Sequence, residues 1–222
     1  MIESFLNKFA ARQRYRLMEK EIYLIRHGET DYNRKGVVQG RGINSSLNET
    51  GISQAQAFYQ GFRHTGFDKI LTSSLKRTQQ TVEPFLELGY KPESFKELDE
   101  IDWGIHEGKI SGSDMSKEYS TMISEWKAGN LHLKIEGGES PLELQKRQIY
   151  FIEHHLIPMS YNKLLICCHG RAIRSLLCTL LGKNLASMDE FPHRNLSLYK
   201  LKQDGDQFKL ELFNYTDHVN NM

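Results

Sequence analysis

Two apolar runs that end in the same dipeptide constrain the fold of this chain more than any other feature. The first run spans residues 21–25 (EIYLI) and the second spans residues 163–168 (KLLICC). Short runs of this composition are typical of strands that are buried on both faces of a sheet. The first run is followed by Arg26-His27-Gly28 and the second by His169-Gly170. Because ligands bind outside the carboxyl ends of the strands in an open parallel sheet, both histidines are expected to meet at one crevice.

The rest of the chain alternates between helical and extended patterns. Further strands are predicted at 69–71, 95–98, 195–202 and 207–214, and helices at 53–64, 75–88, 114–128, 140–156 and 171–181. Strands that alternate with helices favour a mostly parallel sheet that is covered on both faces, so the predicted fold is a three-layer α/β/α sandwich. The last two strands are predicted to form a hairpin across Asp204-Gly205.

The length of 222 residues suits one α/β domain, which we place at residues 21–222. Residues 1–20 have a charged, weakly amphipathic pattern and are predicted to be a helical extension, which could support a homodimer. This stretch lacks the apolar core of a secretory signal, and no run in the chain is apolar enough over its length to span a bilayer. We therefore expect a cytoplasmic protein that has no membrane partner.

Charge and cysteine content narrow the class of protein further. The formal net charge is +1, which gives no bulk electrostatic reason to expect a nucleic-acid partner. The three cysteines, Cys167, Cys168 and Cys178, are odd in number and show no spacing typical of disulfides or of a zinc site. They are predicted to be buried free thiols, as in proteins of a reducing compartment.

The two His-Gly pairs also carry chemical information. A glycine after each histidine allows a sharp turn and a close approach of the backbone to a ligand. The backbone amides that open the helix after His169 would suit an anion. By itself, however, Arg-His-Gly is a weak motif that occurs by chance, and a lone histidine at a strand end is more often structural.

Several longer blocks strengthen the interpretation. Residues 24–40 (LIRHGETDYNRKGVVQG) resemble the signature of the histidine phosphatase superfamily, which has the phosphoglycerate mutase-like fold. Further blocks are similar to later segments of that family and come in the family's order: SLNETGISQAQAF (46–58), LTSSLKRTQQT (71–81), LDEIDWGIHEG (98–108), EGGES (136–140) and LLICCHGRAIRSLL (164–177). Agreement of this many blocks is far more specific than any one motif.

The resemblance implies a role for each matching residue. His27 corresponds to the nucleophile, and Glu100 corresponds to the acid that protonates the leaving group. His169 corresponds to the second catalytic histidine, which binds phosphoryl oxygens. The remaining matches imply phosphate-binding groups at Arg26, Asn33, Arg77 and Gly170 (through its backbone amide) and further substrate contacts at Gln39 and Gly40.

The chemistry of these residue types agrees with those roles. Phosphoryl transfer spreads negative charge over three oxygens, and guanidinium groups match phosphate geometry. Arg26 and Arg77 could therefore neutralise the substrate without a metal ion, and the sequence has no clear carboxylate cluster for a hard cation. A nucleophilic histidine must be neutral, and nearby cations favour that form. We predict no metal and no cofactor, and expect the second ring nitrogen of His27 to donate to a backbone carbonyl.

The identity of the acid has alternatives. Asp99, Asp102 and Glu107 lie close to Glu100 in the sequence, and the register of the LDEI segment favours Glu100. His106 is expected to shape the rim of the pocket. No role is assigned to His193 or His218, although His218 could approach the site.

The sequence also bears on whether the phosphoryl group passes to water, as in a phosphatase, or to another hydroxyl, as in a mutase. Residues 109–139 contain no arginine, and residues 37–40 read VVQG, whereas the cofactor-dependent mutases of the family carry an arginine-rich stretch and a tryptophan at these places. Both differences favour a phosphatase of small phosphorylated metabolites that forms a phosphohistidine on His27. A mutase-type phosphotransferase, a phosphoprotein phosphatase and a regulatory binding protein of the same fold remain as alternatives. The chain retains the matching site residues, which argues against a regulatory binding protein.

Overall fold

The computed structural model of the chain describes residues 19–110, 112–205 and 207–220. The helix predicted over residues 1–20 lies almost entirely outside this part, and Glu19 and Lys20 are not helical. The Lys20 ammonium is buried and donates to the carbonyls of Met159 and Tyr161, so the chain is anchored just before the first strand. The division into an extension and one domain stays a prediction.

Six strands form a single sheet in the order β3-β2-β4-β1-β5-β6. The strands are β1 (Glu21–Arg26), β2 (Lys69–Ser73), β3 (Glu93–Phe95), β4 (Lys163–Cys168), β5 (Leu198–Asp204) and β6 (Gln207–Tyr215). The pairings among β1, β2, β3 and β4 are parallel, and those of β5 with β1 and β6 are antiparallel. The prediction of a mostly parallel sheet is therefore confirmed.

Helices connect the strands. They are α1 (Asp31–Arg34), α2 (Glu49–Phe62), α3 (Lys76–Val82), α4 (Ser113–Lys127), α5 (Pro141–Phe151), α6 (Gly170–Leu180) and α7 (Asp217–Asn220). Short 3₁₀ turns lie at Glu83–Leu88, Lys96–Leu98, Gly104–His106 and Leu185–Glu190, and one π-helical turn follows α5 at Ile152–Leu156. Among the described helices, none is long and apolar enough to cross a membrane.

The three cysteines are buried free thiols, as predicted.

Two hydrophobic clusters hold the layers together. One cluster packs residues of α5 and α6 against the sheet, with Phe151 and Leu176 fully buried. The other packs α2 and the turn after α3 against β1, β2 and β4, with Phe58 and Phe85 fully buried. Burial of large side chains in both clusters explains the apolar composition of the central strands.

Capping residues explain where several helices begin. The Asn48 side chain accepts from the Gly51 amide, so α2 begins at residue 49, earlier than the predicted residue 53. Ser140 and Glu143 form a capping box at the start of α5. The helix predicted over 75–88 divides into α3 and a 3₁₀ turn, and it ends at Gly89, which adopts a positive φ of 83°.

The third strand and the polar loop differ from the predictions. The strand predicted at 95–98 is wrong in position, because β3 pairs with β2 only over Glu93–Phe95 and the chain then turns back. The loop after β1 contains the short helix α1, which the sequence analysis did not predict. The hairpin of β5 and β6 is confirmed, and Gly205 occupies its turn with a positive φ of 61°.

The central pair of strands positions the two histidines. β1 and β4 pair in parallel register, with Arg26 opposite Cys168 at their ends. His27 and His169 therefore leave the sheet at the same level, at the carboxyl ends of adjacent strands. This is the edge at which ligands bind in open α/β sheets.

Candidate active site

A cleft opens at this edge of the sheet and encloses about 260 Å³. Its lining combines polar and charged side chains with apolar and aromatic ones. The lining residues are Arg26, His27, Asn33, Val37, Val38, Gln39, Glu100, Trp103, His106, Met115, Tyr119, Gly170, Arg171 and His193. The volume lies below the range of roughly 300–1,000 Å³ that is usual for drug-sized ligands, so the cleft suits a small molecule.

The ring of His27 is buried and has a defined tautomer. Its Nδ1 lies 2.7 Å from the carbonyl oxygen of Gly28, which can only accept, so Nδ1 carries the proton. Burial lowers the pKa of His27 well below its usual value, and the cations of Arg77 and Arg26 lower it further. The imidazole is therefore neutral, and Nε2 has an unprotonated lone pair.

The backbone around His27 is held by two close contacts. The Asn195 amide donates to the His27 carbonyl at 2.9 Å. A Cβ on Gly28 would lie 2.6 Å from the Gly51 carbonyl oxygen, so the turn after β1 requires glycine where it packs on the start of α2.

His169 lies beside His27, with 5.1 Å between the ring centroids. Its Nδ1 accepts from Nε of Arg77 at 3.2 Å, and its Nε2 donates to Oγ of Ser73 at 2.7 Å. Burial lowers the pKa of His169 well below its usual value, with Arg77 as the next cause. The two rings lie side by side at the carboxyl ends of β1 and β4, but His27 lines the cleft, whereas His169 is fully buried and is not among the lining residues.

Arg77 lies behind this pair and is fully buried. Besides its contact with His169, it donates from Nη1 to the Ile43 carbonyl at 2.6 Å and from Nη2 to the Gly40 carbonyl at 3.1 Å. A guanidinium has five N–H groups, so these three bonds leave one on each terminal nitrogen. Burial lowers the pKa of Arg77 to about 10, which leaves it a cation at neutral pH.

Arg26 is the cation that lines the cleft itself. Its Nη1 lies 3.3 Å from Nδ1 of His193, while its buried Nε has no hydrogen-bond partner. Burial lowers the pKa of Arg26, and the charge of Glu100 partly opposes this effect. A buried donor without a partner is costly, so this guanidinium is suited to receive an anion.

Glu100 faces the cleft at the start of α6. Its Oε1 accepts from the amides of Ile101 and Ala172, both at 2.9 Å, and its Oε2 accepts from the amide of Arg171 at 3.1 Å. These bonds hold the carboxyl group in one orientation. Each carboxylate oxygen can accept two hydrogen bonds, so Oε2 retains one position toward a ligand.

The other carboxylates considered as the acid have different partners. Asp99 accepts from the amide and hydroxyl of Ser74, Asp102 accepts from the Gly104 amide, and Glu107 accepts from the Trp103 amide. Of the four, Glu100 is the one that lines the cleft.

The loop between β1 and α2 carries two of the predicted site residues. Asn33 and Gln39 both line the cleft, and both bond to Thr30. Oδ1 of Asn33 accepts from the Thr30 amide at 3.2 Å, and Nε2 of Gln39 donates to the Thr30 hydroxyl at 2.8 Å. Gly40 lies outside the lining, where its carbonyl accepts from Arg77. A Cβ on Gly40 would lie 2.0 Å from Oε1 of Glu107, so this glycine allows close packing.

His193 is a cleft residue that the sequence analysis did not assign. Burial and, after it, the charge of Arg26 lower its pKa to about 2. Its ring lies against α6, where a Cβ on Gly170 would come within 2.6 Å of it. The PHRN segment shows no sequence signal for this contact, since it depends on how the loop before β5 packs.

Two further histidines, His106 and His218, differ in whether they reach the cleft. His106 lines the cleft as predicted, and its Nε2 lies 3.0 Å from Oε2 of Glu118. His218 does not reach the site, because its Nε2 bonds to the Leu196 carbonyl and its ring packs against Phe58. No group of three or more His, Cys, Asp or Glu side chains that could hold a metal ion occurs in the described part of the chain.

Comparison with known proteins identifies related sequences and folds. A sequence model of the histidine phosphatase superfamily (branch 1) matches residues 22–216. A protein of Hydrogenobacter thermophilus named, as a provisional assignment, phosphoserine phosphatase 2 is 27% identical over 201 residues, which make up 90% of this chain and 98% of that protein. The probable phosphoglycerate mutase GpmB of Yersinia pestis is 32% identical over 182 residues, which make up 82% and 84% of the two chains.

A solved structure agrees with the fold. The α-ribazole phosphatase of Shigella flexneri superimposes with a TM-score of 0.77 at 26% sequence identity, covering 88% of this chain and 96% of that one. The predicted three-layer sandwich of the phosphoglycerate mutase-like type is therefore confirmed.

Proposed function

The chain belongs to the histidine phosphatase superfamily (branch 1) and is an enzyme of that family, and we propose that it hydrolyses small phosphomonoesters without a metal ion, through a phosphohistidine intermediate on His27. The observation that carries this proposal is the state of His27. Its Nδ1 proton is committed to the Gly28 carbonyl, and its neutral ring leaves Nε2 free as a nucleophile. A lone pair beside two guanidinium groups suits attack on a phosphoryl group.

The first half-reaction follows from this arrangement. The phosphoryl group binds against Arg26, whose Nε lacks a partner, and the remaining N–H groups of Arg77 stabilise its charge. Nε2 of His27 attacks phosphorus, and the bond from phosphorus to the ester oxygen breaks. Glu100 donates a proton to that oxygen, and the alcohol leaves.

The second half-reaction returns the enzyme to its starting state. The Glu100 carboxylate removes a proton from a water molecule, and the water oxygen attacks phosphorus. The bond between phosphorus and Nε2 of His27 breaks, which releases inorganic phosphate and restores the neutral imidazole. The three amide bonds to Glu100 support both steps, because they keep one oxygen of the carboxyl group aimed at the cleft.

A mutase-type transfer is the second candidate, and the Yersinia relative is the observation that favours it. Transfer to a phosphoglycerate requires a cation for the substrate carboxylate. Besides Arg26, the guanidinium that lines the cleft in the described part of the chain is that of Arg171, and it already bonds to Asp189 at 2.8 Å. The occupied charge of Arg171 favours hydrolysis over this alternative.

The test is release of inorganic phosphate from a panel of phosphomonoesters with EDTA present, comparing the wild type with His27→Ala. The panel includes 3-phosphoglycerate, phosphoserine, sugar phosphates and an aryl phosphate. We expect turnover by the wild type in EDTA and its loss in the variant. Isomerisation of phosphoglycerate without release of phosphate would contradict the proposal and support the mutase. Activity that disappears with EDTA and returns with a metal ion would contradict the metal-independent mechanism.

A further inference from the structure

The cleft is lined in part by apolar and aromatic side chains. Five of them form what we call the apolar wall: Val37, Val38, Trp103, Met115 and Tyr119. The wall lines the same cleft as Arg26 and His27, so it is available to the remaining atoms of a ligand whose phosphoryl group reaches His27. The composition of the wall therefore indicates which kind of leaving group the cleft accommodates.

The aromatic part of the wall is ordered by its own packing. Trp103 lies 5.5 Å from Tyr119 between ring centroids and is stacked on Trp126 at 6.0 Å. The Trp126 indole is buried and donates to the Leu133 carbonyl at 2.9 Å, which fixes the position of the stack. Tyr119 remains 39% exposed, so part of its ring is available to a ligand.

The guanidinium that lines the cleft beside the wall is already paired. Arg171 donates from Nη1 to Asp189 and from Nη2 to the Tyr119 hydroxyl, at 2.8 and 2.7 Å, and Asp189 also pairs with Arg174. At the rim, His106 is paired with Glu118. Apart from Arg26, the proposed ligand of the phosphoryl group, the described residues that line the cleft offer a carboxylate on the leaving group no unpaired cation, and Glu118 would repel it.

We infer that the substrate is a phosphate monoester of an uncharged alcohol that carries an aromatic ring near the ester oxygen. The inference rests on the proposed function for the fate of the phosphoryl group, whereas the choice of leaving group rests on the apolar wall. Aromatic rings prefer tilted or offset contact with other aromatic rings, which Trp103 and Tyr119 offer. A compact anionic ester, such as a phosphoglycerate, gains nothing from these contacts.

The test measures binding of phosphonates, which cannot be hydrolysed, to the full-length enzyme by titration calorimetry. The ligands are 2-phenylethylphosphonate, which carries a ring, 3-phosphonopropionate, which carries a carboxylate, and ethylphosphonate, which carries neither. We expect the phenyl compound to bind about tenfold more tightly than ethylphosphonate, and the carboxylate compound to bind no more tightly than it. This readout does not depend on turnover, so it separates the leaving-group inference from the proposed function.

Variants at the wall identify the source of the preference. Tyr119→Ala should remove most of the tenfold advantage of the phenyl compound, and Tyr119→Phe, which keeps the ring, should retain it within about twofold. Tyr150→Ala is the matched control, because Tyr150 is a half-exposed tyrosine outside the cleft. Equal binding of the three phosphonates, tighter binding of the carboxylate compound, or equal losses in Tyr119→Phe and Tyr119→Ala would overturn the inference.

Discussion

Nη1 of Arg26 lies 3.3 Å from Nδ1 of His193, and this is the one hydrogen-bond contact of the Arg26 guanidinium in the described part of the chain. A guanidinium only donates, so Nδ1 must accept, and the His193 ring is neutral with its proton on Nε2. Burial lowers the pKa of His193 to about 2, so the ring stays neutral at any pH at which the enzyme works. His193 is therefore a positioning residue for the cation that lines the cleft.

Removal of this contact should weaken binding of the phosphoryl group. We expect His193→Ala to raise KM, and the inhibition constant of vanadate, by about tenfold with a smaller change in kcat, because a hydrogen bond to a charged group is lost. His193→Asn supplies an acceptor oxygen near the position of Nδ1 and should recover most of the loss. Steady-state kinetics of both variants, with the exposed His154→Ala as control, provide the measurement. A purely structural role for His193 would instead reduce thermal stability and leave the two variants equally impaired in KM.

The role of Glu100 predicts a dependence on the leaving group. Glu100→Gln removes the proton donor and keeps one oxygen, which can still accept from the Ile101 and Ala172 amides that now share Oε1. We expect kcat to fall by roughly 10²–10⁴-fold for alkyl phosphates, which need protonation, and far less for activated aryl phosphates. Burst kinetics with both ester types measure the first half-reaction directly. Equal losses for the two types would show that another group is the acid, and Glu107→Gln serves as the matched carboxylate control.

The contact between Gly170 and His193 predicts an interaction between two substitutions. In Gly170→Ala, the new Cβ would lie 2.6 Å from the His193 ring and should displace it from Arg26. We expect the inhibition constant of vanadate to rise about tenfold, as for His193→Ala, since both changes disturb one contact. In the double variant the two effects should not add, because neighbouring residues with a shared partner are coupled. Full additivity in a double-mutant cycle would contradict this account of Gly170.

The buried histidines predict how stability changes with pH. The pKa values of His27, His169 and His193 are lowered in the folded protein, whereas the unfolded chain has values near 6.5. Above about pH 6.5 both states are neutral at these residues. As the pH falls below 6.5, the unfolded state binds protons that the folded state does not, so the free energy of unfolding decreases by about 1.4 kcal/mol per pH unit for each group.

Urea unfolding in phosphate-free buffer between pH 7 and pH 5 measures this decrease. His193→Asn should lower the slope by about one proton, or about 1.4 kcal/mol per pH unit at the acid end of the range. The exposed His154→Ala is the control and should leave the slope close to that of the wild type. An unchanged slope in His193→Asn would mean that the ring is protonated in the folded state and does not accept from Arg26.

Local pattern in the sequence was sufficient for much of the architecture. The apolar runs at β1 and β4 mark the central strands, and the His-Gly pair after each run marks the edge of the sheet at which the cleft lies. The predicted helix ends were less accurate. The start of α2, for example, is set by the cap Asn48, which acts through one side-chain hydrogen bond, and hydropathy does not reveal such a bond. The three-residue strand β3 was misplaced, since so short a pairing depends on its neighbour β2.

The sequence by itself determined most of the order of strands and helices, the family and the candidate phosphate-binding residues, because spacing, hydropathy and motif blocks are properties of local chain segments. Tertiary structure decided which of those residues line the cleft and which lie behind it, as the difference between Arg26 and Arg77 illustrates. It also brought His193 to Arg26 and Tyr119 to Trp103. Such contacts join segments that are distant along the chain, and they depend on packing that no local pattern encodes.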